Sequence, residues 1–347
     1  MQSIKPEYIS KQQITQNILT TIGAIREYKG KQDLFKEQSP QILETLRKTA
    51  IIQSTESSNR IEGVTAPLER IKQIVEDKTT PKNRSEQEIA GYRKVLDMVH
   101  THYNDMNLTS GLFLQLHRDM YQFTNEQGGR WKNVDNEITE THPDGTKIVR
   151  FKPVPAYKTP DAMEQLHSIL NSQWESPEVE KLLIIPSCVL DFLCIHPFRD
   201  GNGRIARLIS LLLLYKAGFE VGRYISLEKI IESTKESYYD TLYKSSQGWH
   251  EGIHDIHPWW EYFLGIMLNA YREFETRVGI FTTAKGAKAG LVLDTIDKFR
   301  GEFTVSDIKQ LCPDVGLDYI RKILREQKLA GKLKCLGRGP TAKWINI

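Results

Sequence analysis

The tightest constraint on this chain is a short polar loop held between two apolar segments, Leu182 to Ile195 before it and Ile205 to Tyr215 after it. Pro197 disfavours helix at the residue before it, so the first segment should end at His196 and leave that imidazole at a helix terminus. The second segment reads as a helix that is apolar nearly all round and therefore buried. Gly201 and Gly203 let the backbone between the helices approach a ligand closely. The unpaired N–H groups at the start of the second helix carry the positive end of its dipole, so they bind anions.

The side chains in the loop extend that reading. Arg204 and Arg207 are three residues apart, on neighbouring positions of one helix face, and each offers a fork of donors to phosphate oxygens. Asp200 would repel phosphate, so its expected role is to hold Mg²⁺, which bridges phosphates. His196 is the group here that can accept a proton near neutral pH. A base beside a metal-bound polyphosphate suggests activation of a hydroxyl for attack on phosphorus. Phe198 is expected to be an apolar anchor for the loop.

His-Pro-Phe-x-Asp-Gly-Asn-Gly-Arg-x-x-Arg, residues 196–207, resembles the signature of the Fic family, enzymes that transfer AMP from ATP to protein hydroxyls. The resemblance implies a mostly helical fold, His196 as general base, Asp200 as metal ligand, and Gly201, Asn202, Gly203, Arg204 and Arg207 as phosphate cradle. ATP would be the substrate, with Mg²⁺, and a Ser, Thr or Tyr hydroxyl the acceptor. Doc-type kinases of the same fold depart from the Gly203 and Arg207 pattern, which disfavours phosphoryl transfer. Removal of AMP stays open.

A second stretch bears on the same arginines. The helix expected from about 40 to 61 ends in Ser57-Ser58-Asn59-Arg60-Ile61-Glu62-Gly63, with Gly63 as its stop. Glu62 then faces the negative end of the dipole and needs a cation such as arginine. Ser58-x-x-x-Glu62-Gly63 resembles the inhibitory-helix motif of Fic proteins. By that resemblance Glu62 pairs with Arg207 and blocks the place of a γ-phosphate, while Ser58 helps to seat the helix. Inhibition would be intramolecular or shared within a homodimer.

The chain has 347 residues, 39% of them hydrophobic, enough for a substantial core and more than one domain. No apolar run approaches the length of a membrane span, and the four cysteines lack paired metal spacing, so a reducing, cytoplasmic setting is expected. Residues 5–35 read as a helical entry segment packed through Ile14, Ile18, Ile22 and Ile25. Ser85-x-x-Glu88 reads as a capping box, and Gly91-Tyr92 stands where relatives have Asn-Tyr, a change expected to touch packing. His117 reads as a structural histidine. Val134 to Thr141 and Lys147 to Phe151, around Pro143-Asp144-Gly145, read as a hairpin. It resembles the Fic flap, which binds a target protein segment as an added strand. In the helix expected from Ser226 to Gln247, Tyr239 matches a tyrosine that relatives place near the nucleotide base. His250, His254 and His257 lack a frame that would fix them as metal ligands.

Beyond a small, basic stretch the order helix, strand, helix, helix, hairpin is that of a winged helix, with a turn at Gly337-Arg338-Gly339-Pro340. Arg321, Lys322, Arg325 and Lys328 on its third helix, with Lys332, Lys334, Arg338 and Lys343 on the wing, could contact DNA phosphates; protein docking fits equally. The chain thus reads as mainly α: a Fic-type helical bundle with a β-hairpin flap, plus a C-terminal winged helix-turn-helix domain. Its expected parts are an N-terminal helical region 1–105 with the inhibitory helix at 40–63, a catalytic core 106–280 with flap 131–152, a linker 281–289, and the winged helix 290–347. The competing reading is a DNA-binding regulator that uses the pocket as a nucleotide sensor.

Overall fold

The computed structural model describes every residue except 39, 142–144, 177–178, 284–286, 300, 313–314, 338, 340–341 and 347. Pro143 and Asp144 of the expected flap turn, residues 284–286 of the expected linker, and Arg338 and Pro340 of the wing turn lie outside the described residues. The chain groups into two compact units, residues 1–29 with 47–271 and residues 30–46 with 272–347.

The first unit contains α1 (Pro6–Ile9), most of α2 (Gln16–Gln38) and α3 (Pro40–Ile61), then α4 (Leu68–Val75), α5 (Arg84–His102) and α6 (Ser110–Met120). A hairpin follows, β1 (Ile138–Thr141) and β2 (Lys147–Phe151), and then α7 (Thr159–Glu175), α8 (Lys181–Ile195), α9 (Asn202–Lys216), α10 (Leu227–Ser233), α11 (Lys235–Ser246) and most of α12 (His257–Thr283). The two apolar segments form α8 and α9 at the centre; every α8 residue from Leu182 to Ile195 is buried. Pro186 sits inside α8, where its carbonyl accepts from Trp259 Nε1 at 2.8 Å, and Ser187 Oγ accepts from Trp260 Nε1 at 2.9 Å.

α5 is packed through the buried Tyr92, Val95, Leu96 and Val99, and it meets both α6 and α9. Gly91 marks the point where α5 meets α6: a Cβ there would collide with the Met120 carbonyl. The packing role expected of that position is what the geometry requires. The expected Ser85/Glu88 cap is replaced by Asn83, whose side chain accepts the Glu86 N–H at 2.9 Å. The cap shifts because Glu88 is turned inward to a buried arginine. In the entry segment Ile18, Ile22 and Ile25 are buried but Ile14 is 48% exposed, since it precedes the first turn of α2.

The hairpin pairs antiparallel, Thr139 opposite Val149 and Thr141 opposite Lys147. It is shorter than expected, with Val134 70% exposed ahead of β1. The helix expected over 226–247 breaks at Thr234 into α10 and α11.

The second unit ends in α13 (Ala287–Lys298), β3 (Phe303–Thr304), α14 (Val305–Leu311), α15 (Leu317–Leu329), β4 (Leu333–Leu336) and β5 (Lys343–Asn346). The three strands form one antiparallel sheet in the order β3-β5-β4. Phe303, Ile308, Ile320, Leu324, Leu333 and Trp344 share its core with Val292 and Ile296. Thr304 and Asp307 form a reciprocal capping box at the start of α14. Among the described residues no helix is long and apolar enough to cross a membrane.

Candidate active site

The loop between α8 and α9 begins at a strained residue. His196 caps α8 in the left-handed conformation, φ 51°, which is rare for a residue with a Cβ. Its Nδ1 lies 3.3 Å from the Leu193 carbonyl. A carbonyl only accepts, so Nδ1 carries the proton and Nε2 keeps a lone pair. Burial lowers the imidazole pKa to about 4, against the Leu193 hydrogen bond and with help from the Lys132 charge. The ring is therefore neutral at pH 7, able to accept a proton through Nε2.

The next residues shape the turn that leads into α9. Phe198 is fully buried, stacked on His117 at 3.8 Å and 4° and on Trp131 at 5.3 Å, which makes it the anchor expected. His117 is structural as expected: Nδ1 accepts from the Gly129 N–H at 2.9 Å and Nε2 lies 3.1 Å from the Asp200 carbonyl. Burial depresses its pKa to about 4. Gly201 has φ 79°, and the first i→i−4 bond of α9 runs from Ile205 N to its carbonyl at 2.9 Å. The N–H groups of Asn202, Gly203 and Arg204 precede that bond and face outward from the helix start. The Asn202 side chain is turned away from any ligand, closing the loop on Phe198 N and O at 2.9 and 2.8 Å. Only its backbone can serve the cradle.

The two arginines have different surroundings. Arg204 is 1% exposed, donating to Glu88 Oε2 at 2.6 Å, the Tyr121 hydroxyl at 2.9 Å and Asn59 Oδ1 at 3.3 Å. Two of its nitrogens brace α9 against α3, α5 and α6, while its Nε is buried without a hydrogen-bond partner among the described residues. Arg207 donates to Ser58 Oγ and to the Ser58 carbonyl, both at 2.8 Å, and to Glu62 Oε1 at 2.9 Å. Burial works against its charge, but Glu62 outweighs that and its pKa is raised. Arg207 Nη1 is buried without a hydrogen-bond partner among the described residues, and a Cβ on Gly203 would lie 3.3 Å from it. The same Cβ would collide with Glu62 Oε1. A carboxylate thus occupies the helix start, beside an orphaned donor that suits a phosphate oxygen.

Glu62 sits one residue beyond α3, with Gly63 at φ 80° ending the helix. The end of α3 is fixed to α10 and α11. Ser54 Oγ donates to Glu228 at 2.7 Å, Ser57 Oγ and Arg60 to Glu232 at 2.8 and 3.0 Å, and Lys235 Nζ to the Ile61 carbonyl at 2.8 Å. On α11, Tyr238 is buried and Tyr239 is 44% exposed, their rings 5.2 Å apart. Burial and then the Glu62 charge raise the Tyr239 pKa.

Asp200 is 58% exposed by its side chain and accepts the Gly201 N–H at 2.6 Å. Among the described residues no three His, Cys, Asp or Glu side chains converge on a common point. A single open carboxylate is the kind of donor that Mg²⁺ takes, since that ion keeps several of its waters. His250, His254 and His257 each have a partner of their own: the Lys152 carbonyl at 2.7 Å, Ser3 Oγ at 2.9 Å, and Asp255 Oδ1 at 2.8 Å.

Sequence reasoning missed Glu88, Tyr121 and Asn59 around Arg204, and Lys132 and Asn136 under the loop. Glu88 carried one readable sign, an acid four residues before the buried Tyr92 on the same face of α5. The others come from distant segments with no local pattern.

Residues 107–214 match the family described as the Fic/DOC family. A protein adenylyltransferase Fic from Nematostella vectensis is 28% identical over 181 residues, 50% of this chain and 39% of that protein. A probable protein adenylyltransferase from Aquifex aeolicus is 30% identical over 88 residues, 25% of this chain and 27% of that protein. The chain therefore spans well under half the length of these curated relatives. A crystal structure of a Fic family protein from Desulfovibrio desulfuricans superposes with a TM-score of 0.66 at 22% identity, covering 97% of both chains.

Proposed function

Because this chain carries a Fic domain, we propose that it is a protein adenylyltransferase that moves AMP from ATP to a Ser, Thr or Tyr hydroxyl of a target protein and of itself. The observation that carries the reading is a neutral imidazole, its Nδ1–H held by Leu193, in the same short loop as the open helix start of α9. Nε2 of His196 takes the proton of the incoming hydroxyl, whose oxygen attacks the α-phosphorus as the bond to pyrophosphate breaks. The N–H groups of residues 202–204 hold the phosphates, and Arg207 receives their far end once Glu62 yields. Asp200 is the residue that would hold Mg²⁺, which when bound neutralises charge on the departing pyrophosphate. Tyr239 borders the nucleotide, and the β1–β2 hairpin takes the target segment as an added strand.

Glu62 on Arg207 supports autoinhibition within one chain, since one guanidinium cannot serve the carboxylate and a γ-phosphate together. AMP removal is a second reading: Glu62 engages Arg207 through Oε1, and a carboxylate at this place can orient a water. For the C-terminal unit, read as a winged helix, we favour a protein partner over DNA. Arg321, Lys322 and Lys343 already face Asp318, Glu326 and Glu302 at 3.0, 3.9 and 2.8 Å. Label transfer from α-labelled ATP, abolished by His196→Ala, supports the main reading. Transfer from γ-labelled ATP instead would make the enzyme a kinase. Release of AMP from a modified protein without transfer would select the second reading.

A further inference from the structure

His196 adopts a left-handed backbone, φ 51°, a strain that persists only where surrounding contacts over-determine it. Those contacts come largely from a five-residue segment at the root of the flap. The last carbonyls of α8 are each taken up: Phe192 O by His196 N at 2.9 Å, Cys194 O by Val154 N at 3.3 Å, and Ile195 O by Lys132 Nζ at 3.0 Å. Beyond the helix, Pro197 O accepts the Lys132 N–H at 2.8 Å, while Asn136 Nδ2 reaches Phe198 O at 3.2 Å and His196 O at 3.4 Å. Lys132 Nζ also donates to Asn136 Oδ1 at 2.7 Å, which fixes the amide with its Nδ2 toward the loop. Four successive carbonyls, 195 to 198, therefore rest on two side chains and one N–H.

Resting on the transferase reading above, we propose that Lys132 and Asn136 are positioning residues for His196, gripping the backbone on both sides of the base so that Nε2 stays aimed over the loop. Lys132 is 5% exposed and its ammonium pKa is lowered to about 8 by burial, a burden that a lysine with a purely surface role would not carry. Neither residue is among those that form the phosphate cradle. Loss of the grip should therefore lower turnover and leave nucleotide affinity alone.

The test uses the full chain with Glu62→Gly, to which Lys132→Met, Lys132→Arg, Asn136→Ala or Asn136→Asp is added. Asn136→Asp is nearly isosteric and keeps the acceptor for Lys132 but loses the donor to the loop, so it carries the test even if Lys132→Met unfolds. The expected result is a fall in kcat of about tenfold or more with the KM for ATP within about twofold, and partial rescue by Lys132→Arg. On the same proteins without ATP, the NMR signal of the His196 Hε1 proton should move and broaden as the Nδ1–Leu193 bond loosens. That readout stands even if Glu62→Gly transfers no AMP, which would count against the transferase reading alone. Folded Asn136→Asp protein with an unchanged His196 signal, or with a change in KM and none in kcat, overturns the proposal.

Discussion

Glu62→Gly separates the gate from the scaffold, and its size can be worked from the contacts. The carboxylate lies 2.9 Å from Arg207 Nη2, with the arginine side chain 3% exposed and the glutamate 29%. A hydrogen bond between charged groups contributes about 1.5–3 kcal/mol, and partial exposure of Glu62 brings this to about 1–2 kcal/mol. That energy opposes entry of the terminal phosphate, so its removal should raise auto-AMPylation at subsaturating ATP by about 5- to 30-fold. The same change should cost the ATP-free protein about 1–2 kcal/mol, about 2–8 °C in Tm for a unit of this size. The loss is smaller than for a fully buried pair because Ser58 Oγ and O keep their hold on Arg207 at 2.8 Å. ATP should then raise the Tm of the variant more than that of the parent. The assays are label incorporation over time and thermal denaturation with and without ATP. Equal rates together with equal ATP-induced shifts would refute the competition for Arg207.

Three further predictions concern the scaffold. Glu88→Gln leaves the buried Arg204 without its 2.6 Å counter-charge and should cost about 3 kcal/mol with no gain in activity, the opposite pattern to Glu62→Gly, read by denaturant unfolding. Gly91→Ala drives a methyl into the Met120 backbone carbonyl, which cannot swing aside, and should destabilise by about 2 kcal/mol or more, again by unfolding. His100, His117 and His196 have pKa values lowered to about 3, 4 and 4 by burial, below the unfolded value of 6.5. The unfolded chain then binds more protons as pH falls below 6.5, so stability drops between pH 6.5 and 4, by about 3 kcal/mol for each buried ring at the lower limit. A stability curve flat across that window would show that these rings are not held neutral.

The loop from His196 to Arg207 was legible because its meaning is local. Pro197 ends one helix, two glycines open the turn, and the apolar run after it announces burial, all within reach of spacing rules. Glu62 was legible for a related reason, as an acid at the wrong end of a dipole implies a cation elsewhere. The separation of Arg204 from Arg207 was not legible. Two arginines on one helix face look alike until Glu88, 116 residues away, and Tyr121, 83 residues away, are seen to hold the first. The same distance hid Lys132 and Asn136, and it misplaced the α5 cap: Asn83 and Ser85 are both good caps, and the choice fell to Asn83 once Glu88 was drawn inward.

The central claim is that the imidazole of His196 and the start of α9 together place AMP on a hydroxyl when Glu62 is removed. Intact-mass measurement of Glu62→Gly protein incubated with Mg-ATP tests it most directly. The account predicts a gain of one or more AMP groups, lost when His196→Ala is added. A gain of phosphate, no gain at all, or an AMP adduct that survives His196→Ala would contradict it.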